Sequence, residues 1–296
     1  VKTASTFDGE CGSMQPVKKS RFYVLLISLT AVIIGTQTTA ALASTAPGLG
    51  TASSYAILAG TPSITNTGPS VVSGSVGIHP GSSVIGFTGA PLGTVTNGTI
   101  QAATPAALTA KSDLTAAYGA AASSPCNFNK TGQNLGGKTL TPGTYCLTTA
   151  PTLTGVLTLS GNGVFIFQLG STLVTATGSS VVLANGAQPC NVFWQVSSSA
   201  TINTTTSFVG TVMALTSITV SSGAVIQGRL LARNGTVTLD SDRITAPTSC
   251  TAIPRLPSAG VGSAAPHGVP WLPIALVGLT TAAILSRTTR VLRGRR

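Results

Sequence analysis

The chain has 296 residues, 43% of them hydrophobic and only 7% charged, with a formal net charge of +11. Such basicity would suit a nucleic-acid partner, but its distribution excludes one. Lys2, Lys18, Lys19 and Arg21 precede residue 22, and Arg287, Arg290, Arg293, Arg295 and Arg296 close the chain, while residues 44–254 hold only Lys111, Lys130, Lys138, Arg229, Arg233 and Arg243 against Asp113, Asp240 and Asp242, too dispersed to track a phosphate backbone.

The N-terminal segment has the layout of a secretory signal. Lys18-Lys19-Ser20-Arg21 forms a basic n-region, residues 22–35 an apolar h-region, and Ala41-Leu42-Ala43 a small-x-small cleavage site. The apolar run is shorter than the roughly 20 residues of a membrane span. Met14 opens a conventional n-region, so residues 1–13 read as an upstream extension and residues 1–43 as the segment removed on export.

Residues 44–250 are expected to form one domain, long enough to bury its own core. Its first part, residues 48–100, carries short strand patterns. Thr104-Pro105 then opens an alanine-rich stretch to residue 122, with a capping threonine and proline in the first turn. Ala107, Leu114, Tyr118 and Ala121 share one helical face. The helix is expected to cover one side of the β-structure, with the early strands capping or completing it.

Residues 152–245 repeat one motif, short apolar-Thr-apolar runs followed by small polar residues and glycine. Phe167-Gln168-Leu169 is echoed by Trp194-Gln195-Val196, and Val181 by Phe208. Ala200-Thr201-Ile202-Asn203 is echoed by Ile218-Thr219-Val220-Ser221 and by Val237-Thr238-Leu239-Asp240, and Phe208-Val209-Gly210 by Ile226-Gln227-Gly228. Periods near 20 residues with one or two strands per unit indicate a β-solenoid. Equivalent residues then lie about 4.7–4.9 Å apart from coil to coil, and the repeated face is mostly threonine and serine.

The chemistry of catalysis is missing from this pattern. Glycoside cleavage needs two flanking carboxylates, and the only close pair, Asp240 and Asp242, reads as a solvated terminal rung. No GxSxG elbow or phosphate loop occurs, and His79 sits in a turn, Gly77-Ile78-His79-Pro80-Gly81. No enzyme, metal or cofactor is expected. Four cysteines follow the signal, Cys126, Cys146, Cys190 and Cys250. In an exported protein they suggest disulfides; of three connectivities the chosen one is Cys126–Cys146 with Cys190–Cys250.

Two columns compete for a functional face. One runs through the corners, Thr177-Gly178-Ser179-Ser180, Thr204-Thr205-Thr206-Ser207 and Ser222-Gly223-Ala224-Val225, with Thr177, Ser179, Thr204, Thr206, Ser222 and Ala224 as candidates. The other is Thr158, Thr201, Thr219 and Thr238, interrupted by Val174. Threonine presents a hydroxyl to a water lattice and a methyl that orders water over it.

The remaining residues have a separate logic. Residues 251–270 form a Pro/Gly/Ser/Ala linker containing Leu256-Pro257-Ser258-Ala259-Gly260. An apolar run, residues 271–285, and an arginine-rich tail to residue 296 follow. The order resembles a Gram-positive cell-wall sorting signal, with Ala259 where threonine is usual. A plain membrane anchor with its arginines on the cytoplasmic side fits equally, and either would tether the domain outside the cell.

Several motifs together carry a family resemblance. Tyr55-Ala56-Ile57-Leu58-Ala59-Gly60, Thr65-Asn66-Thr67-Gly68-Pro69, residues 74–81, Leu140-Thr141-Pro142-Gly143-Thr144-Tyr145, residues 190–196 and Arg229-Leu230-Leu231-Ala232-Arg233-Asn234-Gly235 resemble the microbial ice-binding proteins of the DUF3494 type, over about residues 48–246. The resemblance implies an all-β fold, a right-handed parallel β-solenoid of triangular section with one α-helix alongside. It also implies adsorption to an ice crystal surface through one flat face that carries a loose Thr-Ala/Gly-x-Thr/Asn pattern, approximated at residues 177–180 and 222–225. The expectation is therefore a monomeric, surface-tethered protein that restrains ice growth or holds a cell at ice. The rival is a wall adhesin that binds glycan, which needs exposed aromatics; Trp194, equivalent to Phe167, is expected in the core.

Overall fold

The computed structural model describes residues 44–88 and 91–248. The signal-like segment, Cys250, the linker and the 271–296 segment lie outside the described residues. Among the described residues no helix is long and apolar enough to cross a membrane.

The strands are short, parallel and stacked coil on coil around a three-sided core. One face is a seven-stranded sheet, in spatial order Thr152–Leu153, Leu173–Thr175, Ala200–Ile202, Ile218–Val220, Val237–Leu239, Ser63–Asn66 and Ser83–Ile85. The other fifteen strands form a continuous sheet folded around a corner into two further faces. Ser207–Ala214 and Val225–Ala232 cross that corner, and Gly210 (φ 112°) turns it. Gly228 stacks on Gly210 so closely that an added Cβ would sit 1.8 Å from the Gly210 carbonyl oxygen. Only glycine permits both strands to bend in step.

The order of coils differs from the order of the chain. Tyr55–Ala59 pairs with Val225–Ala232 on one side and with Ser75–Ile78 on the other. Consequently the first coil sits on the last, with Ile57 opposite Leu230, Ile64 opposite Val237 and Val72 opposite Ile244. The early strands complete the solenoid as expected. Helix α1 (Pro105–Ala122) then carries the chain to the opposite end of the stack, where Phe128–Asn129 begins the return. Its 18 residues reach about 27 Å at 1.5 Å each.

Helix α1 begins where the sequence places it, with Thr104 Oγ1 accepting from the Ala107 N–H at 3.2 Å. Such a cap stabilises by about 1 kcal/mol. Ala107, Ala110, Leu114, Ala117, Tyr118 and Ala121 are buried against one solenoid face. The repeated glutamines have a role that their repeat did not reveal: they dock the helix. Gln168 Nε2 donates to the carbonyls of Ala121 (2.8 Å) and Ser124 (2.7 Å), and Gln195 Nε2 donates to Tyr118 Oη at 2.7 Å. Lys111 Nζ donates to the carbonyls of Ala232 and Arg233, and the Arg233 guanidinium lies 4.7 Å from the Tyr118 ring centre. This face is occupied.

Inside, the repeats stack as rings. Phe128, Tyr145, Phe167 and Trp194 follow one another at centroid distances of 4.9, 5.2 and 4.0 Å, and Phe208 tilts against Trp194 at 5.1 Å. Trp194 is fully buried and its indole N–H donates to the Val209 carbonyl at 3.0 Å. A disulfide joins Cys126 and Cys146 near the end of the stack. Cys190 is also disulfide-bonded; the partner assigned to it from sequence, Cys250, is outside the described residues.

Candidate functional site

The seven-stranded face is the one that repeats. Alternation along each strand turns one central residue outward between inward neighbours, which are mostly apolar, with Thr175 and Asn66 as buried polar exceptions. The outward column runs Thr152, Val174, Thr201, Thr219, Thr238, Thr65 and Ile85, each in register with the next. Two residues before and after, the same alternation brings up Ser199, Ser217, Thr236 and Ser63 on one side and Asn203, Ser221, Asp240 and Thr67 on the other, all at least partly exposed. The stacking continues through these flanks: the Ala200 N–H donates to the Ser217 carbonyl, Ile218 to Thr236 and Ser221 to Ile202. No cation stands in these columns, and the one acid, Asp240, accepts from Ser241 Oγ at 3.0 Å.

Several flank hydroxyls are held by the protein, as are those of Thr65 (3.2 Å from Ser63 Oγ) and Thr152 (donating to Asn134 Oδ1 at 3.5 Å) at the ends of the column, while the three central ones are not. Ser199 Oγ lies 2.7 Å from Thr216 Oγ1, and Ser217 Oγ accepts from the Thr236 N–H at 3.2 Å. The hydroxyls of Thr201, Thr219 and Thr238 have no protein hydrogen-bond partner among the described residues. They are open to water, on rungs about 4.7–4.9 Å apart with about 6.6–6.8 Å between outward positions along a strand. Their side chains sit on a backbone already fixed by the stack, so little entropy is lost when a rigid lattice is met.

Thr158 does not belong to this column. Leu157-Thr158-Leu159 has the same apolar-Thr-apolar form but lies on another face, between Thr139 and Val182. The pattern reports only a half-buried strand, and every coil contains more than one. Thr152 takes its place, preceded by buried Pro151, and Thr65 joins from the first coil.

The corner column is only partly outward. Thr177 and Thr204 are exposed and Ser222 is partly so, whereas Ser179, Thr206 and Ala224 are buried at 1%, 0% and 0% exposure. The reason is a repeated left-handed turn: Gly178, Thr205, Gly223 and Ser241 have φ of 67°, 55°, 75° and 58°. Each turns the next side chain inward, bringing Ser179, Thr206, Ala224 and Asp242 to the inside of the corner. Thr206 Oγ1 lies 3.1 Å from Thr175 Oγ1, a buried polar pair rather than a surface one.

Asp242 is corrected for the same reason. It is neither solvated nor on a terminal rung, since Arg243–Thr245 pairs onward with Val71–Ser73. Its carboxylate accepts from the N–H of Ala224 (2.9 Å) and of Asp240 (2.8 Å). Burial nevertheless pushes its pKa up to about 6, and the Asp240 charge beside it acts the same way. This is a structural carboxyl, closing the turn with Ser70, whose Oγ accepts from the Asp242 N–H. His79 lies in a bend after Ser75–Ile78. Among the described residues no group of three or more His, Cys, Asp or Glu could hold a metal ion.

The third face is mixed. Val156, Val182 and Val225 stand exposed there alongside Gln227 and Arg243. Among the described residues, the in-register threonine column is on the seven-stranded face.

Comparison with known proteins agrees with this architecture. The profile of a family described as Ice-binding-like matches residues 57–245. An ice-binding protein of Nostoc sp. (strain HG1) is 44% identical over 233 residues, spanning 77% of this chain and 84% of the relative. Among solved structures, an ice-binding protein from an Antarctic biological consortium is 43% identical with a TM-score of 0.64, covering 68% of this chain and 91% of that one. One from the Antarctic ascomycete Antarctomyces psychrotrophicus is 38% identical with a TM-score of 0.65, covering 69% and 100%. With its stacked parallel coils, single docked helix and a match across most of the described domain, the chain belongs to the Ice-binding-like family.

Proposed function

We propose that this protein adsorbs to ice through the seven-stranded face, with Thr201, Thr219, Thr238 and Thr65 at its centre and Thr152 and Val174 extending it. The carrying observation is the outward column, in register over seven strands and free of cations, in which the Thr201, Thr219 and Thr238 hydroxyls have no protein partner among the described residues. Its role is binding, not catalysis: the titratable groups that acid–base chemistry needs are absent from this face apart from Asp240. The names of the relatives support the same reading. Among the described residues the glycan-adhesin alternative finds no tryptophan or tyrosine platform, because Trp194, Tyr145, Tyr118 and Tyr55 are buried.

The test is thermal hysteresis and ice-crystal shaping of Thr219→Tyr beside Gln227→Tyr. A phenol at position 219 stands off the surface from the lattice, so shaping falls to near zero; the same ring at position 227, on the mixed face, leaves it intact. Equal losses in both variants would sink the assignment.

The protein acts as a monomer and is exported and held at the cell surface. The supports for export and tethering are the signal-like residues 18–43 and the basic-tailed apolar run at 271–296. Fractionation of producing cells tests it, with recovery in the soluble cytoplasm as the contrary outcome.

A further inference from the structure

Away from the proposed ice face lies a cleft of about 380 Å³ whose walls include Ser53, Ser54, Ser73, Asn97, Arg229 and Pro247. Arg229 is its unusual member. The residue is 5% exposed, yet among the described residues no carboxylate meets it. Its Nε donates to the Ser53 carbonyl at 2.9 Å and its Nη2 to the Pro247 carbonyl at 2.7 Å. A guanidinium carries five N–H donors, so three remain without a partner among the described residues. Burial lowers the Arg229 pKa to about 10, a sign of an uncompensated charge. A buried charge without a counter-charge is costly.

The chain has little to neutralise it. Asp113 is the acid that reaches the Gly50–Ser54 turn, and its Oδ2 is occupied by the N–H (2.7 Å) and hydroxyl (2.6 Å) of Thr51. Residues 249–296 contain no Asp or Glu. Further donors line the same cleft. Asn97 Nδ2 donates one hydrogen to Ser73 Oγ at 3.0 Å, which leaves its second N–H and the Ser73 hydroxyl hydrogen uncommitted. Asn97 holds this position in a left-handed conformation, φ 55°.

We propose that this cleft is a binding site for a small tetrahedral oxyanion of the phosphate or sulfate type. The Arg229 fork meets it from one wall, and the Ser73 hydroxyl and Asn97 amide meet it from the other. Donors on two sides suit an anion with acceptor oxygens all round, and a guanidinium fork matches two of them at once. The anion would tie the Gly50–Ser54 turn, the Pro247 strap and the first coil together, and the site is independent of the ice face.

Isothermal titration of the full chain with inorganic phosphate, at pH 7 and an ionic strength fixed with sodium chloride, tests the site. The expected result is one saturable site per chain with a Kd of about 1 mM or tighter. Arg229→Gln abolishes the heat and Ser73→Ala weakens binding several-fold, while both variants, if folded, still shape ice. Should Arg229→Gln fail to fold, Ser73→Ala decides, because it leaves both backbone bonds of Arg229 in place. No saturable heat from the folded wild type, or an isotherm unchanged in Ser73→Ala, overturns the proposal. Loss of ice shaping in the wild type would instead count against the ice face and leave this site standing.

Discussion

Thr65 and Thr238 stand side by side in register on the seven-stranded face, although one belongs to the first coil in sequence and the other to the last. The outward column is therefore longer than the repeat that encodes most of it. Thr65→Tyr should reduce ice shaping and hysteresis about as much as Thr238→Tyr, because both rings would break contact at the same place. Full activity in Thr65→Tyr would confine the site to residues 152–245.

Thr206 and Thr204 are two apart, and their tyrosine variants should fail differently. Thr206 is fully buried and bonded to Thr175, so a tyrosine there overpacks the corner at about 2–3 kcal/mol. Its loss of ice activity would follow a lowered Tm. Thr204 is exposed, and Thr204→Tyr should keep the wild-type Tm with at most a partial loss of activity. Equal melting temperatures for the two variants would contradict the inward turn.

Thr205 takes the left-handed conformation that glycine takes in the neighbouring coils, at Gly178 and Gly223. A β-branched residue is strained there by roughly 1–2 kcal/mol, and glycine's extra unfolded-state entropy offsets part of the relief. Thr205→Gly should thus stabilise by about 1 kcal/mol in denaturant unfolding, without touching the central column. A destabilised variant would show that the exposed Thr205 side chain holds the turn.

A buried carboxyl and a partly buried amine set an unusual dependence of stability on pH between about pH 4 and 10. Asp242 is raised by burial to about 6 from an ordinary value near 3.8, so between these the folded state holds the extra proton and stability falls as pH rises. Lys111 is lowered to about 8 from 10.5, by burial first and the Arg233 charge second, so above 8 the unfolded state holds the extra proton and stability rises with pH. The denaturation midpoint should then be lowest between about pH 6 and 8 and increase on either side. Lys111→Met should flatten the profile between about pH 8 and 10, below the range of Arg229, and leave the acid limb. A midpoint that peaks near neutrality would reverse the sign assigned to both groups.

Much of this was legible in the sequence because it is local. The apolar-Thr-apolar runs around Thr201, Thr219 and Thr238 recur at nearly constant spacing, and the stack places them in one column. The cap at Thr104 and the helical face of Ala107, Leu114 and Tyr118 are local in the same sense. Thr158 was misplaced because alternation identifies an outward residue without saying which of three faces it is on. Ser179, Thr206 and Asp242 were misjudged because their inward direction depends on φ at the preceding residue, and that residue is glycine in only two of the four turns.

The sequence by itself determined a repeating parallel β-structure, its poverty in catalytic groups and its wealth of small hydroxyl residues, since composition and period depend only on neighbours along the chain. Only the tertiary structure decided which residues share a surface. Stacking the first coil on the last set Thr65 beside Thr238, and folding α1 across one face left another to the threonines. Both arise from pairing between segments distant in sequence, where side-chain fit and backbone hydrogen bonds, not the local pattern, select the partner.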